Sequence, residues 1–312
     1  MPPALHQASF WRSEPDDTSA EPKVPTPFAG RIGANQEFSL DRNNCRDIGL
    51  LQRHPDAAPW VPWKDSLSLK QLFELELWKA AAVEGLGTCL LVYLTILFPV
   101  GLTENMNRNL ETGPVVPSLI GSLIVIFMLP LFIYTIGPIS GGHLNSTITI
   151  ATFFGRLTTL PRCILYVAFQ TLGSAIAGWL VRASLDTRSF IVPGCYIDMS
   201  SVSVGSAFVI EFVTDVALIL LSFGVGLDPR QRGVFGPTLG PVLVGIPLGV
   251  CIFTTGVIRQ GYTGFSGNPG RCFGAMVGSH FSSYHWIHWV GPICSSIAHG
   301  VLYYFIPPYE QK

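Results

Sequence analysis

The sequence predicts an all-α membrane protein with six transmembrane helices and two re-entrant half-helices, arranged as an inverted internal repeat. Three observations lead to this fold class. Of the 312 residues, 48% are hydrophobic and only 12% are charged, about half the roughly 25% that soluble domains carry. Six apolar runs are long enough to span a bilayer. Two shorter polar-capped runs fill only about half that thickness.

Runs of about 20 apolar residues define the full spans, because a helix of that length crosses the hydrocarbon core. The predicted spans lie near residues 80–100, 115–136, 160–182, 204–225, 239–258 and 286–306. The half-helices are predicted over 145–155 and 268–279, and each begins with an Asn. A helix that begins with Asn has a good N-terminal cap.

The chain outside the apolar runs is mostly at the N-terminus. Residues 1–75 contain Pro, Asp and Arg without hydrophobic periodicity, which predicts a disordered cytoplasmic tail. We expect the membrane domain over 76–307 and a short C-terminal tail at 308–312. Counting spans places the short-loop Arg residues on the same side as both termini, which are therefore predicted to be cytoplasmic. The plasma membrane is the expected location. The short-loop residues are Arg156, Arg162, Arg230 and Arg232.

The two halves of the membrane domain, about 76–183 and 203–307, repeat one order of features. Each has an acid in its first span, Glu84 or Glu211, followed by a glycine-rich stretch, an Asn and a short apolar run. The glycine-rich stretch of the first half also contains His143. Three spans per half is an odd number, so the second half is inserted upside down. Inverted repeats of this kind build transport sites near the bilayer midplane.

Asn145 and Asn268 explain why polar residues interrupt apolar runs. Irregular backbone at membrane depth is tolerated where it is buried in protein or lines a water-filled cavity. The side-chain oxygen of a capping Asn accepts from the first helical turn, which leaves both donors of its amide nitrogen free. Two half-helices entering from opposite faces direct their positive ends at one point. Such a site favours neutral hydrogen-bonding solutes and repels cations and protons.

Other classes of function find no support in the sequence. There is no Ser/His/Asp arrangement, nucleotide-binding glycine loop or metal-ligand cluster, so we expect no enzyme activity, no cofactor and no metal. The net charge of −1 argues against a nucleic-acid partner. The seven Cys residues are scattered, and only Cys195 falls in a predicted extramembrane loop. We therefore expect no disulfide framework.

Five stretches of the chain occur together in this order, "AAVEGLGTCLLVY", "GPISGGHLNST", "QTLGSAIAG", "GYTGFSGNPG" and "HWIHWVGPICSSIAHGVLYY". With them, residues 78–306 or so resemble the aquaporins, or major intrinsic proteins. In the family each half-helix begins Asn-Pro-Ala, whereas this chain has Asn145-Ser146-Thr147 and Asn268-Pro269-Gly270. Both Asn residues are kept. The resemblance implies a homotetramer with one pore per subunit.

The resemblance also implies a narrow selectivity filter, found by counting from the two Asn residues. Its four positions are Val125, Gly256, Phe265 and Arg271. Gly256 and Phe265 are similar to glycerol facilitators, which usually have Trp where this chain has Val125, so the implied filter is wider than that of a water-selective member. By the same resemblance, Glu84 and Glu211 support the re-entrant loops rather than contact the solute. No second ligand accompanies His143, so we expect it to be a structural residue of the first loop rather than a metal or proton-relay residue.

The leading interpretation is a passive channel in the lipid bilayer for water and/or small uncharged solutes such as glycerol. The alternative is a weakly conducting or non-conducting structural or adhesion member of the same fold, in which the altered Asn motifs reflect relaxed demands on the pore. A coupled transporter ranks third, because a coupling-ion site would need an unassigned intramembrane acid and we identify none.

Overall fold

A computed structural model describes residues 28–33, 40–109, 113–229 and 232–305. It confirms the all-helical membrane architecture. Within these residues the only β-pairing is an isolated bridge between Ile197 and Tyr262. The α-helices are α1 (Ile48–Arg53), α2 (Trp63–Ser66), α3 (Leu75–Asn109), α4 (Val115–Ser140), α5 (Ser146–Phe154), α6 (Leu160–Leu185), α7 (Val204–Ser222), α8 (Arg232–Gly256), α9 (Pro269–Gly278) and α10 (Ile287–Phe305).

The long helices match the predicted spans. In the described part of the chain, five helices are long and apolar enough to cross a membrane, namely α3, α4, α6, α7 with its π-helical extension Phe223–Leu227, and α8. The sixth predicted span corresponds to α10, which packs against α5 and α7. It falls outside the five because it carries His and Ser residues that face the bundle, including His288, Ser295 and His299, all buried.

The two half-helices, α5 and α9, differ from the predicted ranges by one residue at each end. Each lies directly on a full-length helix, because glycine lets the backbones approach. A Cβ atom added to Gly178 of α6 would overlap the carbonyl oxygen of Gly274 in α9. A Cβ atom added to Gly300 of α10 would lie 2.6 Å from Cβ of Phe154 in α5. These contacts fix the position of both half-helices inside the bundle.

The prediction of a disordered tail over residues 1–75 is wrong for the part of it that the structure describes. Residues 28–33, here called the docking segment, pack under the bundle, and Phe28, Arg31 and Ile32 are each at most 3% exposed. Nη1 of Arg31 donates to the carbonyl oxygens of Gly137 and Pro138 at 2.6 and 2.9 Å. The composition of the tail did not predict this packing, because the few tail residues that contact the bundle follow no helix or strand periodicity. Residues 1–27 and 34–39 of this tail, and residues 308–312, lie outside the described part.

A buried ion pair fastens the N-terminal region to α6. Nε of Arg162 lies 2.6 Å from Oδ2 of Asp56, and both side chains are buried. Nε2 of Gln71 donates to Oδ1 of Asp56 at 2.9 Å. Burial opposes ionisation of Asp56, but the charge and hydrogen bond of Arg162 hold the pKa of this carboxyl below its ordinary value. The Arg162 guanidinium also lies 4.1 Å from the ring centre of Phe28, which is a cation–π distance.

The expectation of no disulfide is wrong as well. Cys195 in the loop between α6 and α7 is bonded to Cys272 in the first turn of α9, with the two Cα atoms 5.2 Å apart. The loop folds inward over the N-terminal end of the half-helix and brings the two sulfur atoms together. No spacing rule detects a pair separated by 77 residues. Cys272 also lies within the predicted half-helix 268–279, and not in a predicted loop.

Candidate pore

A cavity of about 700 Å³ lies between the helices, and both Asn145 and Asn268 are part of its wall. One end, here called the Arg271 end, is lined by Arg271 and by the loop before α7. The other, here called the His143 end, is lined by His143 and by Ile32 of the docking segment. The cavity therefore extends past both half-helix termini.

Each Asn caps its own half-helix as predicted from its position. Oδ1 of Asn145 accepts from the backbone nitrogen of Thr147 at 2.8 Å, and Oδ1 of Asn268 accepts from that of Gly270 at 3.1 Å. Two of the three departures from the family motif, Ser146 and Gly270, are neighbours, because a Cβ atom on Gly270 would lie 3.3 Å from Oγ of Ser146. The Ser146 hydroxyl thus lies beside the position that a Cβ atom of residue 270 would occupy if it were not glycine.

The Asn amide groups also join the two halves of the protein. Nδ2 of Asn145 donates to the carbonyl oxygen of Gly267 at 2.8 Å, and Nδ2 of Asn268 donates to that of Leu144 at 3.2 Å. The expectation that both donors of each amide stay free is therefore wrong. An amide nitrogen carries two hydrogens, so one hydrogen of each Asn is left for a solute.

Glu84 and Glu211 occupy equivalent positions beneath the two re-entrant loops, and both are fully buried. Glu84 accepts from the backbone nitrogens of His143 and Leu144 at 2.9 and 2.7 Å. Glu211 accepts from the backbone nitrogen of Ser266 at 3.0 Å. Each carboxylate satisfies backbone donors that have no helical partner, which at this depth would otherwise cost several kcal/mol each, on the order of 2–7.

His143 connects the first loop to the docking segment. Its Nε2 lies 2.8 Å from the carbonyl oxygen of Gly30, and its Nδ1 lies 3.1 Å from Oγ1 of Thr149. Because a carbonyl only accepts, Nε2 carries a proton and donates it to Gly30. Ile32 adds a backbone hydrogen bond to Gly141 at 2.9 Å. The docking segment therefore forms part of the cavity floor at the His143 end.

The four residues that the resemblance implies for a filter, Val125, Gly256, Phe265 and Arg271, line this same cavity. Gly256 has no room for a side chain, because a Cβ atom there would lie 2.6 Å from Oγ of Ser118. Phe265 is 2% exposed. It belongs to an apolar cluster whose other members are Leu218, Leu248, Cys251 and Ile252.

Three residues that the sequence analysis did not assign to this site hold Arg271. Nη2 donates to the carbonyl oxygens of Pro193 and Thr95 at 2.9 and 3.4 Å, and Nη1 lies 3.3 Å from Sγ of Cys195. Cys195 was the available signal in the sequence. It lies outside the apolar runs, and another Cys, Cys272, directly follows Arg271. Every residue has a backbone carbonyl, so the sequence does not indicate which carbonyls accept from Arg271.

Asp215 was also missed, so the statement that no unassigned intramembrane acid exists is wrong. It lies four residues after Glu211 on α7, on the same helix face, and it is fully buried. Neither of its oxygens has a hydrogen-bond partner among the described residues. Asp215 does not belong to the described lining of the cavity.

Comparison with known proteins agrees with this geometry. The family model "Major intrinsic protein" matches residues 71–304. Aquaporin TIP1-1 of Arabidopsis thaliana is 32% identical, over 72% of this chain and 85% of the relative. Aquaporin-5 of Rattus norvegicus is 30% identical, over 76% of this chain and 84% of the relative.

A solved structure shows the same fold. The aquaglyceroporin from Plasmodium falciparum superimposes with a TM-score of 0.58 at 22% identity, covering 73% of this chain and 96% of that one. Together with the sequence matches, this shows that the chain belongs to the major intrinsic protein family, whose members are membrane channels for water or small solutes rather than enzymes.

Proposed function

We propose that the protein is a passive channel for water and for small uncharged solutes such as glycerol, and that the cavity is the path. One observation carries this proposal: both Asn caps and all four filter positions line a single cavity. The remaining amide hydrogens of Asn145 and Asn268 offer a solute two donors in the middle of the path. The helix termini that these residues cap repel cations, because their partial charge is positive.

The composition of the wall supports a small polyol in addition to water. Val125 and Gly256 leave more room than bulky or aromatic side chains would. The cluster around Phe265 is apolar, and Arg271 presents a polar group in the same wall. A polyol has a carbon chain on one side and hydroxyl groups on the other, so it fits a wall with these two characters.

We further propose a homotetramer of four separate pores in the plasma membrane, with both termini cytoplasmic and the channel domain over 76–307. The Lys/Arg distribution of the short loops supports this orientation. Large apolar side chains on the outside of the bundle suit contact with lipid and with neighbouring subunits. Examples are Leu86, Phe127, Leu131 and Trp179, which are 57–69% exposed in the single chain.

The alternative of a non-conducting structural protein is not favoured. The named relatives are aquaporins, and the altered Asn motifs still form both caps and both cross-bonds. Ser146 and Gly270 therefore change the junction without removing its polar contacts.

Stopped-flow light scattering on proteoliposomes tests the proposal. Osmotic shrinkage reports water flux, and reswelling in a glycerol gradient reports glycerol flux; protein-free liposomes are the control. We expect both rates to exceed those of the control. Fast water flux without glycerol flux would overturn the polyol part. Neither flux, from protein shown to be folded, would overturn the channel proposal.

A further inference from the structure

The loop before α7 makes a turn at Pro193–Cys195 that reaches the filter. Cys195 is bonded to Cys272, the residue that follows Arg271, and the two Cys residues are 4% and 0% exposed. Two of the three hydrogen-bond contacts of the Arg271 guanidinium come from this turn, through the Pro193 carbonyl oxygen and the Cys195 sulfur. The disulfide therefore anchors the turn that holds the arginine.

The turn fits against the filter with almost no free space. Gly194 has a φ angle of +82°, which L-residues with a side chain rarely adopt. A Cβ atom at Gly194 would lie 2.9 Å from the carbonyl oxygen of Phe265 and 3.1 Å from Nη1 of Arg271. A small displacement of the turn therefore changes the position of the guanidinium in the cavity wall.

We propose that the Cys195–Cys272 disulfide is a positioning element of the selectivity filter, an inference that rests on the proposed channel function. The disulfide holds the Pro193 carbonyl and the Cys195 sulfur against the arginine, so that Arg271 keeps a fixed place beside the path. Without it, the turn moves away from α9 and the guanidinium gains freedom.

The effect of removing the disulfide stays local, because hydrogen bonds anchor the loop on both sides of it. The backbone nitrogen of Gly194 donates to the carbonyl oxygen of Thr263 at 3.0 Å, and that of Asp198 donates to Gly261 at 2.8 Å. The backbone nitrogen of Ile197 donates to Oη of Tyr284 at 3.0 Å. These contacts keep the loop folded when the disulfide is removed, while the covalent link between Cys195 and α9 is lost.

The test compares Cys195→Ser/Cys272→Ser with the native chain in proteoliposomes. Arg271→Ala is the reference for a lost filter arginine, and Cys45→Ser, at an exposed free cysteine, is the matched control. The measured quantity is the ratio of glycerol or erythritol flux to water flux. We expect the double variant to shift this ratio about three- to tenfold towards the Arg271→Ala value, the range for one lost hydrogen bond. A ratio equal to that of native protein and Cys45→Ser would overturn the inference.

A second readout does not depend on flux. Phenylglyoxal modifies accessible guanidinium groups, and peptide mass spectrometry reports its rate at Arg271. We expect faster labelling in the double variant than in native protein or Cys45→Ser. Equal labelling would overturn the inference even if native protein conducts. If native protein conducts nothing, the channel proposal fails while the labelling still decides whether the disulfide positions Arg271. Should the double variant not fold, Gly194→Ala, which keeps both Cys residues, is measured in the same two ways.

Discussion

Asn145 and Asn268 show how much two side chains contribute at the centre of the pore. Each oxygen caps a helix, and each nitrogen forms one bond to the opposite loop. The caps could be predicted because each Asn directly precedes a short apolar run, whereas the lining positions were implied by the resemblance to the family, by counting from each Asn. The cross-bonds and the carbonyl that holds Arg271 could not be predicted, since both depend on how distant loops meet in the folded protein.

At the residue scale, Val125→Trp tests the width of the filter. An indole ring in place of Val125, which lines the cavity, is expected to lower glycerol flux more than water flux. The flux ratio should fall by about tenfold or more, since tenfold is the lower end of the range for steric discrimination of this kind. Leu123→Trp, on the same helix but 45% exposed on the outside, is the control. An unchanged ratio for Val125→Trp would show that the filter lies elsewhere.

The half-helices determine the fold at the scale of elements. The sequence predicted their bounds closely, because a polar cap followed by a short apolar run is a local signal. The glycine contacts that seat α9 on α6 were not predicted, because a glycine within a helix gives no indication of which helix approaches it. The predicted span 204–225 also gave no sign that the helix changes to a π-helix over Phe223–Leu227.

Gly178→Ala tests the contact between α6 and α9. The added methyl group would overlap the carbonyl oxygen of Gly274, so the helices must separate. Overpacking of this kind costs about 1–3 kcal/mol. We expect a lower midpoint of thermal unfolding in detergent, followed by Trp fluorescence. Gly205→Ala is the matched control, because its Cβ atom would meet no atom within 4 Å. Equal midpoints for the two variants would contradict the close approach.

At the scale of the whole molecule, the N-terminal region is part of the channel rather than an appendage. The docking segment closes over the His143 end, and Asp56 pairs with Arg162 behind it. Composition alone could not predict this, because the anchors are single residues spread over about 30 positions. Their partners lie in α4, α6 and the first re-entrant loop, which the sequence separates from them by roughly 100 residues.

Arg31→Ala tests whether the docking segment restricts flux. Arg31 holds the segment through the carbonyl oxygens of Gly137 and Pro138. Its removal loosens the segment beside Ile32, which lines the cavity. We expect water flux per protein to rise about two- to tenfold, as for one or two lost hydrogen bonds, in the same stopped-flow assay. Arg53→Ala, at the exposed end of α1, should leave flux unchanged. No rise in Arg31→Ala would show that the segment does not limit passage.

Asp56→Asn tests the ion pair. Removing the carboxylate leaves Arg162 buried without its partner charge, which costs about 3–5 kcal/mol, so the midpoint of thermal unfolding should fall. The pKa of Asp56 lies below its ordinary value of 3.8. The pair therefore contributes fully above that pH and is lost only as the pH falls further. We expect the unfolding midpoint of Asp56→Asn to lie below that of native protein by the same amount at pH 5 and at pH 8. Asp65→Asn is the control. A deficit that disappears at pH 5 would contradict the lowered pKa.

The region of family similarity, residues 71–304, is shorter than the unit that folds together. A chain cut at residue 71 by homology would lose Asp56 and the docking segment at once. Arg162 would then lie in the bundle without a counter-charge, and the cavity would lack the docking segment that forms part of its floor. For this protein, boundaries chosen for expression, for a fused tag or for comparison with relatives should therefore follow the contacts of residues 28–33 and 54–57, and not the limits of the alignment.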